Sequence, residues 1–169
     1  KYALDHYKLS KVAIVDFDVH HGNGTQDILW NEKRSLFISS HQMPLYPGTG
    51  KENETGIENN ILNIPLPPNT SGKDFKYLYE NKVFPALEEF SPDLLLVSAG
   101  FDAHASDPLA NINLHEEDFA WVTSRLCDLA DKHCKGRLVS TLEGGYDLDA
   151  LAKCVKTHLK ILLDRGRNV

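Results

Sequence analysis

The chain alternates short apolar runs with longer segments in which apolar residues recur at helical spacing. The apolar runs are four to six residues long and rich in Val, Ile and Leu, which is typical of β-strands. They are continuous rather than alternating, which indicates strands covered on both faces, as in a parallel sheet. Strands are predicted at residues 12–17, 36–39, 94–98 and 138–142, with a weaker one at 61–64.

The segments between these runs predict helices, so the chain has the β/α alternation of a parallel sheet flanked by helices. Pro85 should kink or restart the second helix, because proline lacks the amide hydrogen that an inner turn requires. Asp147 is the predicted N-cap of the last helix, and Asn113 with Glu116 resembles a capping box. Helices are predicted at 25–33, 73–90, 116–132 and 148–164, and long loops at 42–60 and 65–72.

The composition predicts one soluble domain that occupies the whole of residues 1–169. The chain is 41% hydrophobic and carries a formal net charge of −6, which argues against direct binding to nucleic acid, since that requires clustered Lys and Arg. A basic partner such as a lysine-rich tail would be tolerated. No run is long enough for a membrane span. Three cysteines without metal-type spacing, and the absence of a signal-peptide pattern, favour a reduced compartment: the cytoplasm, or the nucleus in a eukaryote.

Polar residues follow the apolar runs at the points where a parallel sheet places ligands. The stretch VAIVDFDVHHGNG carries two aspartates and two histidines after the first run. Because strand side chains alternate, Asp16, Asp18 and His20 should share one side of the sheet, and Asp18 and His20 could hold one ion jointly. The later runs are followed by SSH, SAGFDAHASDPL and LEGGYDL. The sequence therefore predicts that polar chemistry converges on this edge, where Asp102 also lies.

Four stretches in this order, DFDVHHGNGTQ, SSHQMPLYPGTG, SAGFDAHASDPL and LEGGYDL, resemble the zinc-dependent histone deacetylase family, particularly its class II and bacterial amidohydrolase-like members. The resemblance implies the arginase-deacetylase fold, an α/β sheet flanked by helices. It also implies that residues 1–169 are the C-terminal portion of a single catalytic domain that is longer in the family.

The resemblance assigns roles at the metal by position. Asp18, His20 and Asp102 would be the zinc ligands, a set that leaves coordination positions open, as a catalytic zinc requires. Tyr146 would donate a hydrogen bond to the oxyanion that develops during hydrolysis. Tyr46 and Gly145 would border the substrate channel.

A second cation is implied beside the first. The resemblance places a structural potassium ion at Asp16, Ser39 and Ser40, with the backbone carbonyls of Asp18 and His20 completing the site. His21 would be a neighbour without a ligand role.

The implied activity is hydrolysis of the amide of N-acetyl-lysine, in histones or other proteins, by metal-activated water. The family's general base, an adjacent histidine pair upstream of the metal strand, has no counterpart here, so the N-terminal part of the same domain is an expected partner. Two alternatives stay open: an amidohydrolase of acetylpolyamines or other small amides, and a non-catalytic zinc-bound interaction module. A binuclear ureohydrolase is disfavoured, since Gly22 and His104 stand where that class needs carboxylates.

Overall fold

The computed structural model describes residues 1–166. The strands are β1 Val12–Asp16, β2 Ser35–Gln42, β3 Ile61–Leu66, β4 Leu94–Ala99 and β5 Leu138–Leu142. The helices are α1 Tyr2–Asp5, α2 Asn23–Leu29, α3 Gly72–Leu78, α4 Phe84–Phe90, α5 Glu116–Cys134 and α6 Leu148–Gly166, with a π-helical segment at Tyr79–Val83 between α3 and α4. Every predicted strand is present.

The five strands form one parallel sheet in the order β3-β2-β1-β4-β5, which confirms the predicted parallel sheet. Strand β1 lies at the centre, between β2 and β4. Strand β2 was predicted to end at Ser39 but continues to Gln42, because Ser40, His41 and Gln42 are buried and stay paired with β3. Pro65 is tolerated in β3 because β3 pairs only with β2 and lies at an edge.

Both faces of the sheet centre are covered. The larger cluster includes Ala13 and Val15 of β1 and side chains from the helices between Gly72 and Cys134. The smaller cluster includes Val12 and Ile14 of β1 and residues of α1 and α2. The alternation continues past the end of β1, since Phe17 and Val19 belong to the larger cluster. Asp16, Asp18 and His20, which alternate with Phe17 and Val19, therefore project to the other side of the sheet, as predicted.

The predicted helix over 73–90 is divided into three segments. The N–H of Phe84 donates to the carbonyl of Tyr79, five residues earlier, which is π-helical pairing. Pro85 then lies in the first turn of α4, where a missing amide hydrogen has no intrahelical partner to lose. The predicted restart at proline is confirmed, and the π-turn accommodates it. Helix α1 was not predicted, and α2 ends earlier than expected.

Of the two predicted helix caps, Asp147 is confirmed and the capping box at Asn113 is not. The Asp147 carboxylate accepts the N–H of Ala150 at 2.8 Å, as an N-cap should. The capping box at Asn113 is wrong: the N-cap of α5 is His115, whose backbone N–H donates to the Asp118 carboxylate at 2.9 Å. The N–H of Asn113 donates instead to the carbonyl of Thr70, in the loop before α3. Tertiary pairing between two loops thus decides where α5 begins.

Strand β5 differs from the prediction that every strand is covered on both faces. It pairs only with β4, and the side chains of Val139 and Leu142 are each 57% exposed. Helix α6 packs on α5, and leaves Leu159 and Leu163 largely exposed. The structure therefore has an apolar, unpaired outer edge at β5 and α6.

The three cysteines are buried and unpaired, in agreement with the predicted reduced thiols. Burial raises the pKa of Cys127 and Cys134 to about 11 and that of Cys154 to about 12, so these thiols are poor nucleophiles at neutral pH. Within residues 1–166, no helix combines the length and the hydrophobicity needed to cross a membrane.

A buried histidine predicts how stability changes in acid. His158 bonds Thr123 and Ser140, and burial lowers its pKa to about 4. Below about pH 6.5 the unfolded chain binds a proton that the folded state excludes, so the free energy of unfolding should fall by roughly 3 kcal/mol by pH 4 through this group. His158→Gln should flatten the pH dependence of urea unfolding in this window. His6→Gln, on the exposed surface, is the control, and equal slopes in all proteins would contradict the prediction.

Candidate functional site

The three predicted zinc ligands lie together at the carboxyl edge of the sheet. Asp18 and His20 follow β1, and Asp102 follows β4. These strands are parallel neighbours, so their carboxyl ends meet. His20 Nδ1 lies 3.2 Å from Asp18 Oδ1 and 3.0 Å from Asp102 Oδ2. One ligand atom from each residue lies within 4.8 Å of the others. The structure therefore brings together side chains that are more than 80 positions apart in sequence.

Backbone N–H groups orient both carboxylates. Val19 donates to Asp102 Oδ1 at 2.9 Å, and His20 donates to Asp18 Oδ1 at 2.8 Å. The N–H of Gly144, in the loop after β5, donates to Asp18 Oδ2 at 2.8 Å. Each carboxylate is thus held by a donor from a different part of the edge, and neither can rotate without losing a hydrogen bond.

Glycine is required where the backbone crosses these carboxylates. A Cβ added to Gly144 would clash with Asp102 Oδ2 and with Asp18 Oδ2, and a Cβ added to Gly100 would clash with the Asp18 side chain. The absence of side chains lets the loops after β4 and β5 close over the ligand set.

The electrostatics of the ligand set are those of an uncompensated anionic site. Asp102 has no side-chain exposure, and burial, with the charge of Asp18 as the second cause, raises its pKa to about 7. Within residues 1–166, no Lys or Arg forms an ion pair with Asp18 or Asp102. A cation would relieve this repulsion. Two carboxylates and one imidazole nitrogen are a donor set that suits Zn²⁺, so these residues fit the predicted metal.

An open cavity of about 510 Å³ lies over the ligand set. Tyr46 is 80% exposed and Tyr146 is 52% exposed, so both phenol rings stand largely free at the cavity. The Tyr46 ring lies edge-on to His20, with 6.5 Å between ring centroids. The lining residues are Asp16, Asp18, His20, His21, Gly22, Thr25, Tyr46, Ser98, Leu109, Leu142, Glu143, Gly144 and Tyr146.

The loop that carries Tyr146 is held by a residue that the sequence analysis did not assign. The N–H of Tyr146 donates to Asp107 Oδ2 at 2.7 Å, and Asp107 is buried. Partial burial and the charges of Asp102, Asp18 and Asp107 raise the pKa of Tyr146, so the phenol stays protonated at neutral pH. Asp107 lies in the motif SAGFDAHASDPL. In the sequence, the only indication that Asp107 has a role is its position near the predicted ligand Asp102.

The two glycines of this loop, Gly144 and Gly145, have different positions relative to the cavity. Gly144 lines the cavity, whereas Gly145, the predicted channel residue, is not among the lining residues. Gly145 has φ of +143°, and a Cβ there would press on Leu151 of α6. Gly145 is therefore needed for the turn that carries the chain into α6.

The predicted potassium ligands are buried beside the zinc ligands. Asp16 accepts the N–H of Asp18 at 3.1 Å, and burial and the nearby charge of Asp18 raise its pKa well above the usual value. Ser39 Oγ lies 3.0 Å from His41 Nδ1. The Ser40 hydroxyl bonds Tyr79 at 2.8 Å on the other side of the strand, so only its carbonyl is available for a cation. The donor set is compatible with a hard cation, and the potassium assignment stays a prediction.

A second group of candidate ligands, His104, His115 and Glu116, also lies within 4.8 Å. His104 Nδ1 accepts the N–H of Ser106 at 3.1 Å, so in the neutral ring Nε2 carries the proton, which faces Glu116 Oε2 at 3.5 Å. Both nitrogens are thus engaged and no lone pair is left for a metal. His104 occupies one of the two positions where a ureohydrolase needs a carboxylate. At the other ureohydrolase position, a side chain on Gly22 would clash with Asp16.

Two buried histidines, His21 and His41, lie against each other, and His21 also lines the cavity. In the sequence, His41 follows the second apolar run, and His21 is predicted to be a neighbour without a ligand role. Each ring also bonds a residue of the long loop that connects β2 and β3, and these contacts are not visible in sequence.

Comparison with known proteins identifies the family. The profile of the histone deacetylase domain matches residues 1–162. Type-2 histone deacetylase 2 of Dictyostelium discoideum is 44% identical over 177 aligned residues, which cover 97% of this chain and 10% of that protein. The histone deacetylase-like amidohydrolase of Pseudomonas aeruginosa is 42% identical over 142 residues, covering 82% of this chain and 37% of that protein.

The crystal structure of the HDA15 HD domain superposes with a TM-score of 0.87 at 37% identity, covering 94% of this chain and 46% of that one. This confirms the predicted arginase-deacetylase fold. The chain spans about half or less of the length of the curated relatives that it matches. From the matched profile and these relatives, we conclude that the chain belongs to the histone deacetylase domain family.

Proposed function

We propose that this chain supplies the metal-holding portion of a zinc-dependent deacylase that hydrolyses the amide of N-acetyl-lysine in histones or other proteins. One observation carries the proposal: Asp18, His20 and Asp102 converge at the base of a cavity that Tyr146 also lines. Family membership supports a hydrolase, and this geometry supports its metal and its mechanism.

The ligand residues would hold the zinc from the cavity floor. When bound, zinc supplies Lewis acidity to the acetyl carbonyl and to the attacking water. Asp18 and Asp102 would balance its charge, and His20 would contribute the nitrogen that now faces both carboxylates. The N–H groups of Val19 and Gly144 keep the carboxylates oriented, so little reorganisation is needed when the metal binds.

Tyr146 would donate its hydroxyl hydrogen to the carbonyl oxygen as negative charge develops there. Asp107 fixes the backbone of Tyr146, and a phenol, whose ordinary pKa is about 10, keeps its proton at neutral pH. A donor of this kind is most useful in the transition state, because the carbonyl oxygen is far less charged in the substrate.

The general base is proposed to come from outside residues 1–169. Within the described residues, the histidines that line the cavity are His20 and His21. His20 belongs to the metal set, and both ring nitrogens of His21 are hydrogen-bonded. Neither can accept a proton from the attacking water without giving up its present role.

The outer edge of β5 is the proposed docking site for the rest of the domain. The matched chain of the HDA15 HD domain is more than twice as long as the part that this chain covers. The unpaired edge of β5 and the exposed leucines of α6 adjoin the loop that carries Tyr146. A further strand added there would bury this apolar surface and complete the cavity wall.

Metal content tests the ligand set. The purified chain should bind one zinc ion, and Asp102→Asn should weaken binding by more than the roughly 10- to 100-fold that loss of an outer hydrogen-bond partner costs. Metal analysis by mass spectrometry after dialysis is the measurement. Glu116→Gln, in the second candidate group, should bind zinc normally. Loss of zinc in Glu116→Gln alone, or two manganese ions per chain, would overturn the assignment.

Turnover tests the role of Tyr146. In the polypeptide that carries the whole domain, Tyr146→Phe should lower kcat on an acetyl-lysine peptide by about 100- to 1000-fold while zinc content is unchanged. Tyr77→Phe, an exposed tyrosine of α3, is the control. An acetylated polyamine measured in parallel distinguishes the small-amide alternative. A wild-type protein that binds zinc but turns over neither substrate would favour the interaction module.

Amide hydrogen exchange tests the docking edge. The amides of β5 should exchange more slowly in the whole domain than in the 169-residue chain, because a new strand would cover that edge. Strand β3, at the opposite edge, serves as the internal control and should exchange alike in both proteins. Equal exchange of β5 in the two proteins would place the remaining domain elsewhere.

A further inference from the structure

Two buried imidazoles lie behind the metal ligands and take no part in the ligand set. The rings of His21 and His41 are 4.7 Å apart between centroids, and their residues are 4% and 1% exposed. His21 directly follows the ligand His20, and His41 is in β2. Burying two imidazoles in contact requires that all their nitrogens find partners.

The hydrogen bonds of His21 fix its tautomer. Gln26 Nε2 donates to Glu54 at 2.7 Å, so the amide oxygen of Gln26 faces His21 Nε2 at 3.0 Å. Asn63 donates to the same oxygen at 2.7 Å, which confirms it as an acceptor. His21 Nε2 therefore carries the proton, and His21 Nδ1 accepts the hydroxyl hydrogen of Thr49 at 2.8 Å.

The hydrogen bonds of His41 fix the same tautomer. His41 Nε2 lies 2.9 Å from the carbonyl oxygen of Gly50, which can only accept. His41 Nδ1 then accepts the hydroxyl hydrogen of Ser39 at 3.0 Å. Each imidazole bonds one of two consecutive residues, Thr49 and Gly50, of the loop between β2 and β3.

Gly50 allows the loop to rest directly on the two rings. Its φ is +86°, and an added Cβ would lie 2.5 Å from His41 Nε2 and 2.6 Å from His21 Cδ2. The N–H of Gly50 donates to the Glu54 carboxylate at 3.1 Å. The loop is therefore attached to the sheet edge by its backbone and by one hydroxyl, at a point where no other residue type fits.

This attachment lies a few residues after Tyr46, which lines the cavity beside His20. The Tyr46 ring is 80% exposed, so its own packing does little to hold it. We propose that His21 and His41 are positioning residues that fix the Tyr46 side of the cavity through Thr49 and Gly50. The consequence for substrate binding rests on the deacylase function proposed above, whereas the attachment of the loop does not.

Thr49 offers the sharpest test because it is exposed and its loss should not unfold the chain. Thr49→Val removes the hydroxyl, and Thr49→Ser keeps it. The control is Thr123→Val, because Thr123 also lies 2.8 Å from a histidine Nδ1, that of His158, but in α5. The loop amides of residues 43–56 should exchange about 3- to 10-fold faster in Thr49→Val, the effect of one lost hydrogen bond. Thr49→Ser and Thr123→Val should match the wild type in this loop.

In the whole domain, Thr49→Val should raise KM for an acetyl-lysine peptide by about 3- to 10-fold, with a smaller change in kcat, and Thr49→Ser should restore the wild-type KM. Unchanged loop exchange in Thr49→Val would overturn the proposal, as would faster loop exchange with an unchanged KM in an active enzyme.

Nitrogen NMR of the imidazoles gives a readout that requires no activity. Both His21 and His41 should carry the proton on Nε2, and a proton on Nδ1 of either ring would overturn the proposed network. If the whole domain binds zinc but shows no deacylase activity, the proposed function fails. The exchange and tautomer measurements then still decide whether the histidines hold the loop.

Discussion

The structure depends on an arrangement that is unfavourable in the protein alone: carboxylates buried together at the carboxyl ends of β1 and β4. Asp16 and Asp102 are almost completely inaccessible, and Asp18 is half-buried beside them. Burial is the leading cause of the raised pKa of both buried groups, and the charge of Asp18 is the next. Such a cluster is stable only if protons or cations compensate the charge. The N–H groups of Val19 and Gly144 hold these carboxylates in place.

Several features that look unrelated in sequence follow from this constraint. Gly100 and Gly144 have no side chain because the backbone passes against the Asp18 and Asp102 carboxylates. The N–H groups of Val19 and Gly144 point inward because a buried carboxylate oxygen needs a donor. The loop after β5 is thereby hydrogen-bonded to Asp18 through Gly144. This hydrogen bond helps to position Tyr146 at the cavity.

Much of this could be predicted from the chain alone, for identifiable reasons. Continuous apolar runs marked all five strands, and period-two alternation placed Asp16, Asp18 and His20 on one side of the sheet. The meeting of Asp102 with Asp18 followed from the rule that parallel strands share a carboxyl edge. The extension of β2 through Ser40 and His41 could not be seen, because buried polar residues read as the end of a strand. The cap of α5 at His115 was missed because a contact between Asn113 and Thr70 overrides the local pattern.

The parts of the site that escaped prediction share a physical character, since they are hydrogen bonds between loops rather than properties of strands. Asp107 accepts the backbone N–H of Tyr146, and His21 and His41 bond the Thr49 hydroxyl and the Gly50 carbonyl in the loop that carries Tyr46. The proposed metal ligands follow two adjacent strands of the sheet, β1 and β4. The wall that carries Tyr146 instead stands next to the unpaired edge of β5. The arrangement of Asp18, His20 and Asp102 is therefore determined by the central strands of the sheet. The shape of the cavity depends instead on contacts between loops and on what covers the edge of β5. The positions of Asp18, His20 and Asp102 therefore depend on strand pairing within this chain, whereas the wall beside Tyr146 depends on what contacts the β5 edge.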